Sequence, residues 1–231
     1  MNKLSLKHVL LRWRRRFLLH FGITTYCKVG YWELLQEVFQ DQPPGIFLEA
    51  GAHDGWTGSN TYWLEASLGW RGILIEPVPG LYQACCKERP FDCSYHGALV
   101  SHSFTESTID IECAGLVSAV TSSPLHHETK SIAEVYYGTT NTVTVAVPAL
   151  TLDYCIMRSG YPRVDFISLD VEGFEVQALR GIDLDRWRVQ YLFVECNDEQ
   201  SVIIALGTSY SVYKKLDAKN ILFKRTSPFP F

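Results

Sequence analysis

Residues 164–181, Val-Asp-Phe-Ile-Ser-Leu-Asp-Val-Glu-Gly-Phe-Glu-Val-Gln-Ala-Leu-Arg-Gly, constrain the fold more than any other stretch of the chain. An apolar run ends there in three carboxylates, Asp170, Glu172 and Glu175, set around Gly173. Val164, Phe166, Ile167, Leu169 and Val171, bounded by Tyr161-Pro162 and by Gly173, read as a strand buried on both faces that turns into a helix. Such two-sided burial belongs to parallel strands covered by helices, and in open α/β sheets ligands bind just beyond their carboxyl ends. Asp170 and Glu172 therefore stand where chemistry is expected. A structural role is equally open: Asp170 as a helix cap, with Glu172 and Glu175 complementing the positive helix end.

The same design recurs twice upstream. Gly45-Ile-Phe-Leu-Glu-Ala-Gly-Ala-His-Asp-Gly55 is an apolar strand with Glu49 near its end, followed by a turn Gly51-x-x-x-Gly55. Gly51 permits a sharp turn and close approach to a ligand, and Gly55 relieves crowding where a helix begins. Ser59 or Asn60 is the expected cap of that helix, which runs through Tyr62, Trp63 and Leu64 to Gly69. Trp70-Arg-Gly-Ile-Leu-Ile-Glu76-Pro77 is the third junction, with its acid 25 positions beyond Gly51. A carboxylate at about that spacing accepts both hydroxyls of a ribose, and Pro77 ends the ladder.

A glycine turn alone is compatible with NAD, FAD or plain tight packing. Its charge narrows the choice. A pyrophosphate at a helix N-terminus wants N–H groups and no nearby carboxylate, whereas Glu49 and Asp54 would repel it. S-adenosylmethionine carries a sulfonium and an ammonium, and an acidic neighbourhood attracts both.

Three of these segments resemble the FkbM-type S-adenosylmethionine-dependent methyltransferases. Phe-Leu-Glu-Ala-Gly-Ala-His-Asp-Gly with Ser59-Asn60-Thr61 is similar to that family's first motif, and Ile-Leu-Ile-Glu-Pro to its second. Val-Asp-Phe-Ile-Ser-Leu-Asp-Val-Glu-Gly-Phe-Glu resembles its hallmark, an apolar strand before Asp-x-Glu-Gly-x-Glu. The likeness extends over roughly residues 45–226, with Val147-Pro-Ala-Leu-Thr-Leu-Asp153 and Tyr210 to Arg225 as flanks, and is weak over 100–145. His53 departs from it, standing where Asn is more usual. The resemblance implies O-methylation of a hydroxyl on a sugar, glycan or natural product. The expected cofactor contacts are Glu49, Gly51, Ala52, His53, Asp54, Gly55, Ser59, Asn60, Glu76, Pro77, Ala98, Leu99 and Asp170.

For transfer to oxygen the acceptor must be aligned and its proton removed. Asp170 is the first candidate for the key carboxylate. Glu172 and Glu195 are candidates for a base or for holding substrate hydroxyls, Glu195 because it ends the run Tyr191-Leu-Phe-Val. With Asn197 these oxygens also suit Mg²⁺, a less favoured alternative, since ligand spacing alone identifies no oxygen site.

The expected architecture is a doubly wound, mostly parallel, Rossmann-like α/β sheet of the class I methyltransferase type. An inserted β-hairpin or lid and an antiparallel C-terminal strand complete it. Strand signals fall at 46–50, 72–76, 93–99, 164–170 and 189–196, and helical ones near 31–39, 59–68, 79–89 and 173–181. Tyr210 to Leu216 and Asn220 to Arg225, separated by Asp217-Ala-Lys, read as an antiparallel pair. Phe104 to Cys113 and Thr142 to Val147 flank a polar segment that reads as a mobile lid offering His126, His127, Tyr136 and Tyr137 to a substrate.

The chain divides at residue 30. Residues 1–30 form a basic amphipathic extension with seven Lys and Arg and no acid, while 31–231 form the methyltransferase domain, with 14 basic and 25 acidic residues. Leu6, Val9, Leu10, Trp13, Phe17 and Phe21 share one helical face, as in a helix resting on an anionic membrane through residues 1–25 or packing on protein, including a second copy. No run approaches a membrane span, so the expectation is a cytoplasmic enzyme with peripheral membrane contact as an option. An acidic body argues against nucleic acid. Seven cysteines without a CxxC pair argue against a disulfide framework or zinc site. Two other readings stand beside the enzyme: a catalytically silent interaction module at a membrane surface, and an NAD-dependent oxidoreductase. The second is disfavoured by the missing G-x-G-x-x-G.

Overall fold

The computed structural model describes residues 31–114, 117–121 and 143–229. The basic N-terminal extension and the four lid residues His126, His127, Tyr136 and Tyr137 lie outside them. In chain order the elements are α1 (Tyr31–Phe39), β1 (Ile46–Ala50), α2 (Tyr62–Leu68), β2 (Arg71–Glu76), α3 (Pro79–Glu88), β3 (Cys93–His96), β4 (Ala98–Leu99), β5 (Thr108–Ala114) and β6 (Val117–Val120). They continue with β7 (Val143–Leu150), α4 (Leu152–Ser159), β8 (Phe166–Leu169), α5 (Glu175–Leu179), β9 (Tyr191–Glu195), α6 (Glu199–Leu206), β10 (Tyr210–Lys215) and β11 (Asn220–Arg225).

Seven strands form the main sheet in the order β10-β11-β9-β8-β1-β2-β3. β8, β1, β2, β3 and β9 run parallel, so their carboxyl ends share one edge, and β11 enters antiparallel between β9 and β10. The chain is thus an α/β protein with a mostly parallel central sheet. No helix among the described residues is long and apolar enough to cross a membrane.

Side-chain alternation sorts the strands onto two faces. Leu48, Ala50, Ile167, Leu169, Leu192 and Val194 point into a core with Leu152, Ile156, Ala178 and Val202 from α4, α5 and α6. Phe47, Phe166, Tyr191, Phe193 and Leu222 point the other way, against Leu34, Leu35 and Phe39 of α1 and Tyr62, Trp63 and Leu64 of α2. Phe39 is the centre of that second core, with ring centroids 5.0 Å from Phe166, 5.2 Å from Trp70 and 5.4 Å from Tyr191. Carried one step further along each strand, the alternation puts Glu49, Ser168, Glu195 and Asn220 on the α1 face.

The stretch 93–99, expected as one strand, is two. Cys93–His96 joins the main sheet, while Ala98–Leu99 pairs with Ala149 and Leu150 in a second sheet of order β4-β7-β5-β6, the chain turning at Gly97. Within that sheet β5 pairs antiparallel with both β6 and β7. Helices α4 and α6 carried no expectation. Thr151 caps α4 through its side chain, accepting from the Tyr154 N–H, and Asp198 caps α6 in the same way through Ser201.

Candidate active site

The carboxyl edge of the sheet holds two adjoining cavities. The larger, about 190 Å³, is lined by the turn after β1, the ends of β2, β4 and β8, and residues of β5 and β6. The smaller, about 80 Å³, lies on the α1 face between the ends of β8, β9 and β11. Gly58 and Asp170 line both.

The turn after β1 is built by its glycines and by a buried ionic buttress. Gly51 has φ +80°, and a Cβ there would sit 1.9 Å from the Asp170 carbonyl oxygen. Its backbone conformation and the closeness of β8 thus each demand glycine. Glu49 is buried beneath the turn and takes no part in either cavity lining. Its Oε2 accepts from the hydroxyls of Ser59 (2.8 Å) and Thr61 (2.7 Å), and its Oε1 from the Asn60 N–H (2.7 Å). Arg89, fully buried at the end of α3, reaches under the same turn. Its guanidinium donates to the Gly55 carbonyl, Ser59 Oγ, Thr61 Oγ1 and Asp92, and it pairs with Glu65. Ser59 is saturated as well, accepting from the Tyr62 N–H at 3.1 Å at the start of α2. Ala52 is buried, and Gly55 presses against Cys85 and Arg89.

Asp54 is likewise occupied locally. It accepts from the Trp56 and Thr57 N–H groups and the Thr57 hydroxyl, with His53 Nδ1 3.5 Å away. Burial pushes its carboxyl up, but those hydrogen bonds prevail and hold it well below the ordinary carboxylate range. His53 has φ +51°, in the left-handed region that Asn tolerates best. Its N–H donates to Glu76 Oε2 at 2.8 Å.

Glu76 ends β2 and lines the larger cavity. Its other oxygen, Oε1, accepts from the Val78 N–H at 2.9 Å. Burial raises its pKa, and the two backbone hydrogen bonds only partly offset this. Each carboxylate oxygen is thus oriented by one N–H and keeps a further lone pair for a ligand. Pro77, Ala98 and Leu99 stand beside it in the same lining.

At the end of β8 the three carboxylates separate by role. Glu175 is buried and folds back onto its own turn, accepting from the N–H groups of Val171 (3.2 Å) and Gly173 (3.0 Å). It is the one that secures the start of α5. Glu172, at φ +53°, lines the larger cavity. Asp170 caps nothing, since the residue before α5 is Phe174, which makes no side-chain cap. Its carboxyl is instead hydrogen-bonded to that of Glu195. Burial, then the Glu195 charge and that hydrogen bond, then Glu172 and Glu175, drive its pKa well above the usual value.

Of the expected cofactor contacts, then, Gly51, His53, Glu76, Pro77, Ala98, Leu99 and Asp170 share the larger cavity, and Asn60 lines the smaller one. Glu49, Ala52, Asp54, Gly55 and Ser59 lie behind the turn that forms its wall. Asp170 and Glu172 of the catalytic candidates line the larger cavity, and Asp170 and Glu195 the smaller. Arg89 was not foreseen: nothing in Cys85-Cys-Lys-Glu-Arg89 signals contact with a turn more than 30 positions upstream. The apolar wall of Ile111 and Val120 was also missed, since only pairing with β7 brings β5 there.

Among the described residues no group of three or more His, Cys, Asp or Glu is arranged to hold a metal ion. The larger cavity does fit S-adenosylmethionine by the chemistry of its lining: Glu76 for ribose hydroxyls, apolar Ile75, Leu99 and Phe174 for an adenine, and acids in place of a phosphate site.

Comparison with curated proteins finds no match. Among solved structures, a TehB-like S-adenosylmethionine-dependent methyltransferase from Corynebacterium glutamicum is similar over 95% of this chain and 98% of its own, at 11% identity and a TM-score of 0.44. The model of the methyltransferase FkbM domain matches residues 49–205, which run from Glu49 of the buttress into α6 and include the four carboxylates that line the cavities, Glu76, Asp170, Glu172 and Glu195. The chain therefore belongs to the FkbM methyltransferase domain family.

Proposed function

We propose that the chain transfers a methyl group from S-adenosylmethionine to a hydroxyl oxygen of a sugar, glycan or natural product. The observation that carries the reading is Glu76. It is a buried carboxylate with each oxygen anchored by one backbone N–H, in the wall of a cavity that among the described residues is lined by three carboxylates and no Lys or Arg. Such a wall suits a ribose on a cationic ligand and disfavours a dinucleotide's pyrophosphate. S-adenosylmethionine, when bound, supplies an electrophilic methyl group on a sulfonium.

The chain's own residues supply binding, orientation and proton handling. Glu76 accepts the ribose hydroxyls, and the turn from Gly51 to His53 forms the wall beside Asp170. Burial and the neighbouring acids hold the Asp170 carboxyl well above its usual pKa, and a carboxylate oxygen at the Asp170–Glu195 contact accepts a hydrogen bond from an acceptor hydroxyl and takes up its proton. Glu172 adds negative charge on the sulfonium side. General-base help of this kind is worth about 10²–10⁴ in rate.

Calorimetric titration with S-adenosylhomocysteine, with NAD as a control, tests the reading. Micromolar binding of the first alone is expected. Binding of NAD alone, or of neither, would overturn it.

A further inference from the structure

The smaller cavity has a chemistry of its own. Strand alternation turns Ser168, Phe193, Glu195 and Asn220 onto the α1 face, where Asn220 is the register partner of Glu195. Tyr31 closes the cavity from α1, and Asn60 from the loop before α2.

Each amide and the phenol of its walls already donates within the protein. Tyr31 Oη donates to Asp217 at 2.8 Å, Asn60 Nδ2 to Ser168 Oγ at 3.0 Å, and Asn220 Nδ2 to both oxygens of Asp217. Acceptors are left over. Asn60 Oδ1 is buried without a hydrogen-bond partner among the described residues, and the carboxyl groups of Asp170 and Glu195 line the same cavity. An open buried acceptor is costly until something donates to it. Among the described residues no Lys or Arg lines the cavity, so an anionic guest meets carboxylate there without a counter-charge. Phe193 and Tyr31, edge to face at 5.2 Å, add an apolar surface to an otherwise polar wall.

We propose that this smaller cavity is the acceptor subsite, and that it takes the uncharged, hydroxyl-bearing end of a polyol, bound through donation to Asn60 Oδ1 and the Asp170–Glu195 pair. The inference rests on the methyltransferase reading, because it is the shared residue Asp170 that brings a guest here against the methyl donor's cavity. It also reassigns Asn60 from cofactor to acceptor. Negatively charged acceptors such as uronates or sugar phosphates are selected against.

The test uses full-length protein saturated with S-adenosylhomocysteine and saturation-transfer NMR on four probes. Methyl α-glucopyranoside and methyl α-mannopyranoside are neutral, the methyl glycoside of glucuronic acid is anionic, and that of glucosamine is cationic. The neutral glycosides are expected to give signal and the glucuronide roughly fivefold less. Ser168→Val, which fills the cavity from β8, is expected to abolish that signal while S-adenosylhomocysteine affinity stays within about twofold, and that affinity doubles as the check on folding. Asn60→Ala, which removes the open acceptor without filling space, is expected to cut the signal roughly fivefold. Silence from both neutral probes, a glucuronide or glucosaminide signal equal to theirs, or signal surviving both substitutions would overturn the proposal. Failure of the wild type to bind S-adenosylhomocysteine would instead strike the methyltransferase reading beneath it.

Discussion

The turns that follow β1 and β8 look alike in sequence and are built to opposite ends. Each is an apolar strand, a carboxylate, a glycine and a short helix. At β1 the carboxylate of Glu49 accepts three hydrogen bonds and lies near Arg89, so its charge is spent inside the protein. At β8 the carboxyl of Asp170 faces Glu195, Glu172 and Glu175, with no cation beside it among the described residues, and ionising it comes at a cost. A strand-end acid with saturated partners holds the scaffold; one crowded by its own kind keeps an unsatisfied demand for a proton or a ligand. The same residue pattern thus separates by partner count, not by position.

Removing one charge isosterically at each site should break the likeness. Asp170→Asn is expected to lower methyl transfer by about 1,000-fold while S-adenosylhomocysteine affinity changes little. With its pKa raised in the fold, Asp170 binds a proton that the unfolded chain has released. Stability therefore falls as pH rises from the ordinary carboxylate range up to the raised value, and Asn escapes that loss. The variant should accordingly melt higher than wild type at neutral pH, which differential scanning calorimetry reads directly. A lower melting temperature would mean that the carboxylates are internally satisfied after all.

Glu49→Gln should move the other way. It leaves Arg89 with less opposing charge and strands one hydroxyl or N–H, at an expected cost of about 2–4 kcal/mol in urea unfolding. Cofactor affinity should fall only as far as the turn loosens. If Glu49→Gln left stability unchanged but removed cofactor binding, Glu49 would be a ligand residue and the contrast would fail.

Glu76 lies between these extremes, anchored by two N–H groups yet open to a ligand. Glu76→Ala is expected to weaken S-adenosylhomocysteine by roughly 10- to 100-fold, the loss of a charge-assisted pair of hydrogen bonds. Because ribose hydroxyls need the ionised carboxylate, wild-type affinity should decline as pH falls through the raised Glu76 pKa. That decline begins nearer neutrality than an ordinary glutamate would cause. Titrations across mildly acidic pH, with Glu76→Gln as a flat control, check the sign. The smallest effect concerns backbone strain: Glu172→Asn, which suits φ +53°, is expected to add about 0.5 kcal/mol to stability. No gain in thermal unfolding would place the cost of that conformation elsewhere.

The strands that flank the site were legible in the sequence because burial on both faces leaves long apolar runs. Ile46–Ala50 appears with its expected limits, and β2, β8 and β9 within two residues of theirs. α6 was not legible, since Val202-Ile203-Ile204 carries no helical periodicity. Nor was the break at Gly97, a single residue that sends two halves of one apolar run into different sheets. Within the site, Glu76 could be placed by spacing alone, because its partners are its own neighbours in the chain and its role is local. Glu49 could not: its partners include Arg89, 40 positions away, and its saturation becomes visible only when α3 is folded against the turn. Asp170 was identified, and Glu195 was expected beside it from the usual strand order, which the parallel pairing of β8 and β9 provides.

The antiparallel seat of β11 has a consequence for how the molecule comes into being. The strand lies inside the sheet, bonded to β9 on one side and β10 on the other, although among the described strands it comes last in chain order. Until Asn220 to Arg225 emerge, β9 presents a long unpaired edge to whatever else is nearby, an aggregation-prone interval in a nascent chain. Asn220, at the head of that strand, also completes the wall of the smaller cavity. The larger cavity can thus be assembled from earlier segments, whereas its neighbour closes only once Asn220 has been made.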